Sequence, residues 1–171
     1  MYNDPEWASE QEWDGYAWFG FAVSEAQVIE MQLQVIATAL EMKAEANDDR
    51  ESRWFMLYDR LSRLTLGQLL AKVKHHGVLH PKVIQMLDEV KNRRNTLAHL
   101  FFRPPEAPAG SSAAMAAIGI KYLQEAASLF SHVSMCIEPA VHEIVAKLRV
   151  PCGEEEARDA QKSIDSCHAC P

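Results

Sequence analysis

Apolar residues recur every three or four positions along most of the chain, which is the spacing of one face of an α-helix. The first such pattern follows Ser24, whose hydroxyl suits an N-cap, and it ends at the polar run that begins with Asn47. Its stripe consists of Ile29, Leu33, Ile36 and Leu40. No segment of the sequence shows the apolar and polar alternation of a β-strand. The pattern therefore predicts an all-α fold.

Boundary residues mark three further helices. A second helix is predicted over 51–64. Thr65 is placed to cap a third, which runs to His75 before Gly77 stops it. Pro81 suits the first turn of a fourth helix because proline lacks the backbone N–H that would go unpaired there.

The last predicted helix is long and follows an exposed connection. The residues after Phe102 are rich in Pro, Gly and Ser and cannot continue a helix. Helical spacing then resumes, and we expect a kink at Pro139. Its buried face is expected to consist of Ile118, Tyr122, Ala126, Leu129, Val133 and Cys136.

These elements predict an antiparallel bundle of about five helices over residues 17–150. An acidic segment with aromatic residues precedes it over 1–16, and a polar tail, expected to be flexible, follows over 151–171. The chain has 171 residues, of which 48% are hydrophobic, so it can bury a core without disulfides or metals. Its longest apolar run, 16–23, is too short to span a bilayer and is preceded by acidic residues. We therefore expect a cytoplasmic protein with no membrane partner.

The fourth helix contains one break in its apolar pattern. Its stripe consists of Val83, Leu87, Val90, Leu97 and Phe101. At the place where the spacing calls for another apolar residue stands Arg94. A charge at a packing seam is costly unless it is paired or hydrated, so this position is a candidate functional site. A polar stripe of Asp88, Asn92, Asn95 and His99 runs beside it.

Charge is distributed unevenly along the chain. The formal net charge is −7, which argues against a general nucleic-acid coat protein. Residues 51–103, however, carry ten Lys and Arg against four acidic residues. A polyanion can be held there. The other interpretation, equally compatible with the sequence, is that basic residues happen to share two helices.

Residues 93–102 read Arg-Arg-Asn-Thr-Leu-Ala-His-Leu-Phe-Phe. This segment resembles the HEPN superfamily of small helical bundles, whose signature is an Arg, then a polar residue that is often Asn, then a His four to six positions after the Arg. Arg94, Asn95 and His99 fit that spacing. The helix order is similar over 17–147, with a detailed match over 66–102.

The resemblance implies metal-independent RNA cleavage by a homodimer. The residues themselves suit that chemistry, since His99 can exchange protons with the 2'-hydroxyl or the leaving 5'-oxygen. Arg94 can stabilise charge on the phosphate oxygens, and Asn95 can orient the imidazole or bind the phosphate. Residues five apart on a helix point about 140° away from each other, so Arg94 and His99 do not share a face. An isologous dimer can bring Arg94 of one copy to His99 of the other.

Further basic side chains are predicted to bind the RNA backbone. They are Arg93, Lys91, Arg103, Lys72 and Lys74. Arg93 also offers a second register for the motif, and the sequence does not separate its contribution from that of Arg94. No cofactor and no metal are expected. The tail cysteines Cys152, Cys167 and Cys170 lack a second pair at zinc-site spacing.

Several alternatives remain open at this stage. His99 can instead bond a last-turn carbonyl, and Arg94 can reach solvent or pair with a carboxylate such as Glu30 or Glu41. Toxin-like members of the HEPN superfamily have a Tyr for adenylylation where this chain has Phe101, so control by modification at that residue is excluded, although another antitoxin or regulatory protein partner is allowed. The alternative function is a non-catalytic transcriptional co-regulator or protein-interaction module with a degenerate motif.

Overall fold

The structure, a computed structural model, describes residues 10–43, 50–99, 101 and 113–148. The described residues form five helices and no strand, which confirms the predicted all-α bundle. The helices are α1 (Glu10–Lys43), α2 (Arg50–Ser62), α3 (Leu66–His76), α4 (Pro81–His99) and α5 (Ala113–Leu148).

The two longest helices, α1 and α5, pack side by side and run in the same direction. A Cβ added at Gly15 would lie 4.0 Å from Ile120, and further along Ser131 donates a hydrogen bond to Glu25. Still further, Gln32 donates to the Ser134 carbonyl over 3.2 Å. Along these three contacts the residue numbers of α1 and of α5 increase together, so the two helices are parallel. The seam between them buries Phe130, Val133 and Ile137 from α5, with Ile29, Leu33 and Ile36 from α1.

Helix α4 runs antiparallel to both long helices and contacts each of them. Leu87, Val90, Leu97 and Phe101 of its predicted stripe are buried, as expected. The ring of Phe101 lies 5.7 Å from that of Phe19 in α1 and 6.2 Å from that of Tyr122 in α5. The Phe101 amide donates to the Thr96 carbonyl over 2.8 Å. This aromatic contact fixes the end of α4 against both long helices.

Local capping chemistry sets the bounds of α3. The Thr65 hydroxyl accepts a hydrogen bond from the Gln68 amide while the Gln68 side chain accepts one from the Thr65 amide, which completes a capping box. At the other end Gly77 adopts φ +62°, a left-handed conformation that favours glycine. Both predicted boundary residues are confirmed, and α4 begins at Pro81 as expected.

Helices α2 and α3 are held to α1 by polar contacts. Glu41 of α1 accepts hydrogen bonds from Arg60 of α2 and, over 2.8 Å, from Lys72 of α3. Gln34, which is buried in α1, donates to the Tyr58 carbonyl over 2.8 Å. Burial opposes the ionisation of Glu41, but the hydrogen bonds and charges of Lys72 and Arg60 outweigh it and lower the pKa of this carboxyl. Glu41 is therefore the ionic junction of three helices.

Two boundary predictions are wrong. Helix α1 begins at Glu10, so Ser24 lies exposed inside the helix and is not its N-cap. The helix continues upstream because Ala22 and Ala26 extend the buried stripe at helical spacing. Residues 10–16, assigned from sequence to a separate acidic segment, belong to this first helix.

The predicted buried face of α5 is also partly wrong. Ile118 is 56% exposed, and Tyr122, Leu129 and Cys136 are only half-buried. Ala126 and Val133 are buried as expected. Four further core positions, Leu123, Ala127, Phe130 and Ile137, each lie one residue after a predicted position, and Ile144 extends the core towards the end of the helix. In a helix this rich in apolar residues several stripes have helical spacing, and only the neighbouring helices select one.

The helix continues past Pro139 to Leu148. None of the described helices has an apolar stretch that would cross a membrane. The predicted connection after Phe102 and the tail over 151–171 lie outside the described residues, as do Arg103, Cys152, Cys167 and Cys170.

The ionic junction at Glu41 predicts a specific pH dependence of stability. Because the folded pKa is lowered below the ordinary value of 4.5, the stabilisation is present above that pH and is lost as the pH falls through the folded pKa. We expect Glu41→Gln to lower the free energy of unfolding by about 1 kcal/mol at pH 7. Urea unfolding of both proteins at pH 7 and near pH 3 measures this, and a difference that stays constant between the two pH values would contradict it.

Candidate active site

Arg94 lies in a cleft between α1 and α4. The cleft has a volume of about 220 Å³ and is lined from α4 by Arg94, Leu97 and Ala98. From α1 it is lined by Phe19, Val23, Ala26, Gln27 and Glu30. Leu97 and Ala26 belong to the core, so the cleft opens directly off the hydrophobic interior. The arginine that breaks the apolar stripe therefore faces α1, as its place in the stripe predicts.

Glu30 is the ionic partner of Arg94. Nη2 of the arginine lies 3.1 Å from Oε1 of the carboxylate, and the two side chains are 34% and 27% exposed. The contact is close enough for an ion pair. In the part of the chain that the structure describes, however, the buried Oε1 accepts no hydrogen bond, so the Arg94 N–H groups do not point along its lone pairs. This is one of the two pairings left open by the sequence. The charge of Arg94 is therefore balanced by Glu30, and the arginine side chain remains accessible to solvent.

Asn95 and His99 lie on the exposed face of α4. Both residues are exposed, and His99 is the last residue of the helix. Among the described residues neither side chain has a hydrogen-bond partner, so His99 is not held by a last-turn carbonyl there. One helical turn separates them, which puts the amide and the imidazole on one side of the helix.

The motif is therefore divided between two faces of α4. Arg94 faces α1, whereas Asn95 and His99 face solvent. Helical geometry separates the directions of Arg94 and His99 by about 140°. Within one chain the structure brings Asn95 and His99 together but does not bring Arg94 beside His99.

Arg93 points toward α5. Its Nε donates to Glu89 over 2.8 Å, and an Nη atom lies 4.0 Å from Glu125. The guanidinium carbon lies 5.8 Å from the centre of the Tyr122 ring. With its side chain 27% exposed, Arg93 connects α4 to α5 through charge and ring contacts. Arg94 and Arg93 thus have different surroundings, and Arg94 is the one in the cleft.

The three predicted RNA-binding lysines in the described residues each contact a carboxylate. Lys72 donates to Glu41, and Lys74 donates to both oxygens of Asp88 over 2.8 Å. Lys91 lies 3.4 Å from the same Asp88. The hydrogen bond from Lys74 lowers the pKa of Asp88, although burial opposes this shift. All three lysines remain at least 35% exposed, and their charges are partly neutralised.

Sequence reasoning named Glu30 and Glu41 as possible partners of Arg94, but it missed other parts of this site. A local charge count for 51–103 leaves out Glu30, Glu41 and Glu125, which come from helices outside that segment. Phe19 and Gln27 were also not assigned to the site. The one available signal was that Phe19, Val23, Ala26 and Glu30 lie at spacings of four, three and four, on a single helical face. Within the described residues no group of three or more His, Cys, Asp or Glu is placed to hold a metal ion.

No family model, curated protein or solved structure matches the chain. The resemblance to the HEPN superfamily therefore rests on the motif in α4 and on the order of the helices.

The exposure of His99 predicts that its removal leaves the fold intact. We expect His99→Ala to change the free energy of unfolding by less than about 0.5 kcal/mol, since the side chain lies in solvent. Leu97→Ala, two residues away and 3% exposed, should lower it by about 3 kcal/mol. Urea unfolding measures both, and a large loss in His99→Ala would identify this histidine as structural.

Proposed function

We propose that this chain is a metal-independent endoribonuclease of HEPN type, acting in the cytoplasm. One observation carries the proposal. The guanidinium of Arg94 lies in an open cleft at a core seam, on the same helix as two exposed side chains, Asn95 and His99. A motif buried in hydrogen bonds would favour a structural role, and this one is accessible. The HEPN resemblance connects such proteins with toxins and phage defence.

The proposed reaction needs only groups that this chain supplies. A neutral His99 accepts the proton of the 2'-hydroxyl, whose oxygen attacks the phosphorus. The bond from phosphorus to the 5'-oxygen breaks, and a protonated His99 donates a proton to this leaving oxygen. In a dimer, this second histidine is the His99 of the other copy. Arg94 stabilises the negative charge that develops on the non-bridging oxygens. The products are a 2',3'-cyclic phosphate and a 5'-hydroxyl.

A homodimer would join the two halves of the motif. A second copy can present its His99 to the Arg94 cleft, which a single chain does not do. The exposed surface of α1 offers a face for self-association. Its uncharged face extends for about 27 Å and borders the cleft through Gln27. It consists of Trp13, Tyr16, Gly20, Ser24, Gln27 and Met31.

The charge of the protein makes this face suitable for self-association. A chain with a net charge of −7 repels its own copies, and the uncharged face of α1 lacks that repulsion. Trp13, Tyr16 and Met31 are 45–51% exposed, and apolar side chains grouped in this way mark interaction surfaces. At the centre, a Cβ added to Gly20 would meet no atom of the described residues within 4 Å, so another helix can approach closely.

The alternative function is a non-catalytic co-regulator or protein-interaction module with a degenerate motif. The observation that favours it is the neutralisation of the basic face, because Lys72, Lys74, Lys91 and Arg93 all contact carboxylates. In a nuclease, RNA phosphates must compete with those carboxylates, which makes RNA binding sensitive to salt. In a regulator, the same pairs would simply stabilise the bundle, and the uncharged face of α1 would bind another protein.

Cleavage of RNA in the presence of EDTA is the direct test of the nuclease. We expect the purified protein to cut labelled single-stranded RNA or tRNA and to leave 2',3'-cyclic phosphate ends. Arg94→Ala and His99→Ala should each slow the reaction at least about 100-fold, because each removes one partner of the transition state. His75→Ala is the matched control, since His75 is an exposed histidine at the end of α3.

Two results would contradict the nuclease. One is that the wild-type protein cuts neither RNA. The other is that cutting persists unchanged in both variants, which would trace the activity to a contaminant. Either result would favour the alternative, the co-regulator or interaction module.

Light scattering coupled to size-exclusion chromatography tests the homodimer. We expect Gly20→Arg to convert dimers to monomers, because the long charged side chain would project from the centre of the uncharged face. Folding should survive, since Gly20 is exposed and arginine has the higher helix propensity. Ser128→Arg, at an exposed position of α5, is the control and should remain dimeric. A monomeric wild type at the concentration of the RNA assay would refute the homodimer.

A further inference from the structure

The cleft between α1 and α4 is larger than the Arg94–Glu30 pair requires. Its volume of about 220 Å³ is well above the roughly 10–15 Å³ that a single water-sized sphere occupies. Val23, Ala26, Leu97 and Ala98 provide an apolar lining, and Phe19 adds an aromatic ring. An apolar lining with a few polar groups is common to small-molecule sites, and the size of this cleft limits it to a ligand smaller than a typical cofactor.

Glu30 gives the cleft an unused acceptor. Its Oε1 is buried and accepts no hydrogen bond from any described residue, although the Arg94 guanidinium is close by. The ion pair with Arg94 compensates the charge of this oxygen but leaves it without a hydrogen bond, and a ligand with N–H groups that takes the place of Arg94 would supply one. Gln27 lies one turn before Glu30 on the same side of α1 and also lines the cleft. Its amide has no hydrogen-bond partner among the described residues.

We infer that this cleft binds a guanine base, with the Glu30 carboxylate as the group that recognises it. A carboxylate accepts two parallel hydrogen bonds from neighbouring donors. Guanine presents N1–H and the N2 amine side by side on its Watson–Crick edge. Adenine, cytosine and uracil each place an acceptor next to their donor on that edge, and the acceptor would face the negative charge. Guanine is therefore the RNA base whose edge matches the carboxylate.

The position of the base beside the scissile phosphate rests on the proposed function. Arg94 Nη2 lies 3.1 Å from the oxygen that would accept the guanine protons. Guanine binding and rotation of Arg94 from Glu30 toward a phosphate would therefore occur together. The ion pair then holds Arg94 in the cleft when no guanine is bound, and guanine releases it for the phosphate. Glu30 acts in this scheme as a specificity residue, and cleavage occurs next to guanosine.

Nucleotide binding tests the inference without any requirement for cleavage. Saturation-transfer NMR on the full chain, titrated with the 5'-monophosphates of guanosine, inosine and adenosine, gives the three affinities. Inosine keeps N1–H but lacks the N2 amine. We expect guanosine monophosphate to bind about 10-fold more tightly than either of the others, since each lacks a hydrogen bond to the charged carboxylate.

Glu30→Gln should remove this preference, because the amide presents one donor and one acceptor. Glu25→Gln is the matched control, since Glu25 lies on the α5 side of α1 and accepts a hydrogen bond from Ser131. The control should keep the preference. Circular dichroism melting verifies that both variants are folded. If Glu30→Gln does not fold, the wild-type affinities for guanosine and inosine monophosphate still test the inference. Equal binding of the three nucleotides, or binding of none, would overturn the inference.

Cleavage assays separate this inference from the proposed function. An RNA with a single guanosine, and its copy with inosine at that position, are incubated with the wild type. Cutting beside guanosine that falls about 10-fold with inosine supports both. Equal rates of cutting for the guanosine and inosine RNAs would overturn the guanine site but leave the proposed nuclease activity standing. Selective binding of guanosine monophosphate without any cutting supports the guanine site and overturns the nuclease.

Discussion

The parallel packing of α1 against α5 is the constraint on which the rest of the structure depends. These two helices lie at opposite ends of the described chain, so α2, α3 and α4 and their connections must fold in a way that brings α1 and α5 into contact. Helix α4 packs against both α1 and α5 and runs antiparallel to them. Helices α2 and α3 attach to α1 through Glu41 and Gln34. Close-packed interiors allow little adjustment of such contacts. The orientation of α4, and with it the motif, is therefore a consequence of the long pair.

The division of the motif follows from this packing. Helix α4 directs its stripe toward α1, so Arg94, which occupies a stripe position, enters the cleft beside Glu30. Asn95 and His99 are turned away from α1 by the helical repeat and remain exposed. The arginine is thereby kept in partly apolar surroundings, where its electrostatic interactions are stronger than in water. The histidine lies on the exposed face of α4. Each group has the environment that its proposed role requires.

Short-range chemistry could be predicted from the sequence, and long-range pairing could not. Thr65, Gly77 and Pro81 act within a few residues of themselves, and all three mark helix boundaries as expected. Ser24 was misassigned because a good capping residue is also tolerated inside a helix that neighbours stabilise. The predicted buried face of α5 is wrong at Ile118, which is exposed, because contacts with α1 and α4 decide which face of α5 is buried. Glu41, which contacts Lys72, and Glu125, which lies 4.0 Å from Arg93, come from other helices, so a local charge count overlooks them.

The burial of Phe101 has a consequence for how the protein opens. Helix ends usually fray at low free-energy cost, and His99 stands at such an end. Phe101, only two residues later, is 2% exposed between the rings of Phe19 and Tyr122. The last turn of α4 cannot loosen without withdrawing Phe101 from its ring contacts with α1 and α5. The segment that carries the motif therefore belongs to the same cooperative unfolding unit as the core, and local fluctuation and global unfolding are coupled there.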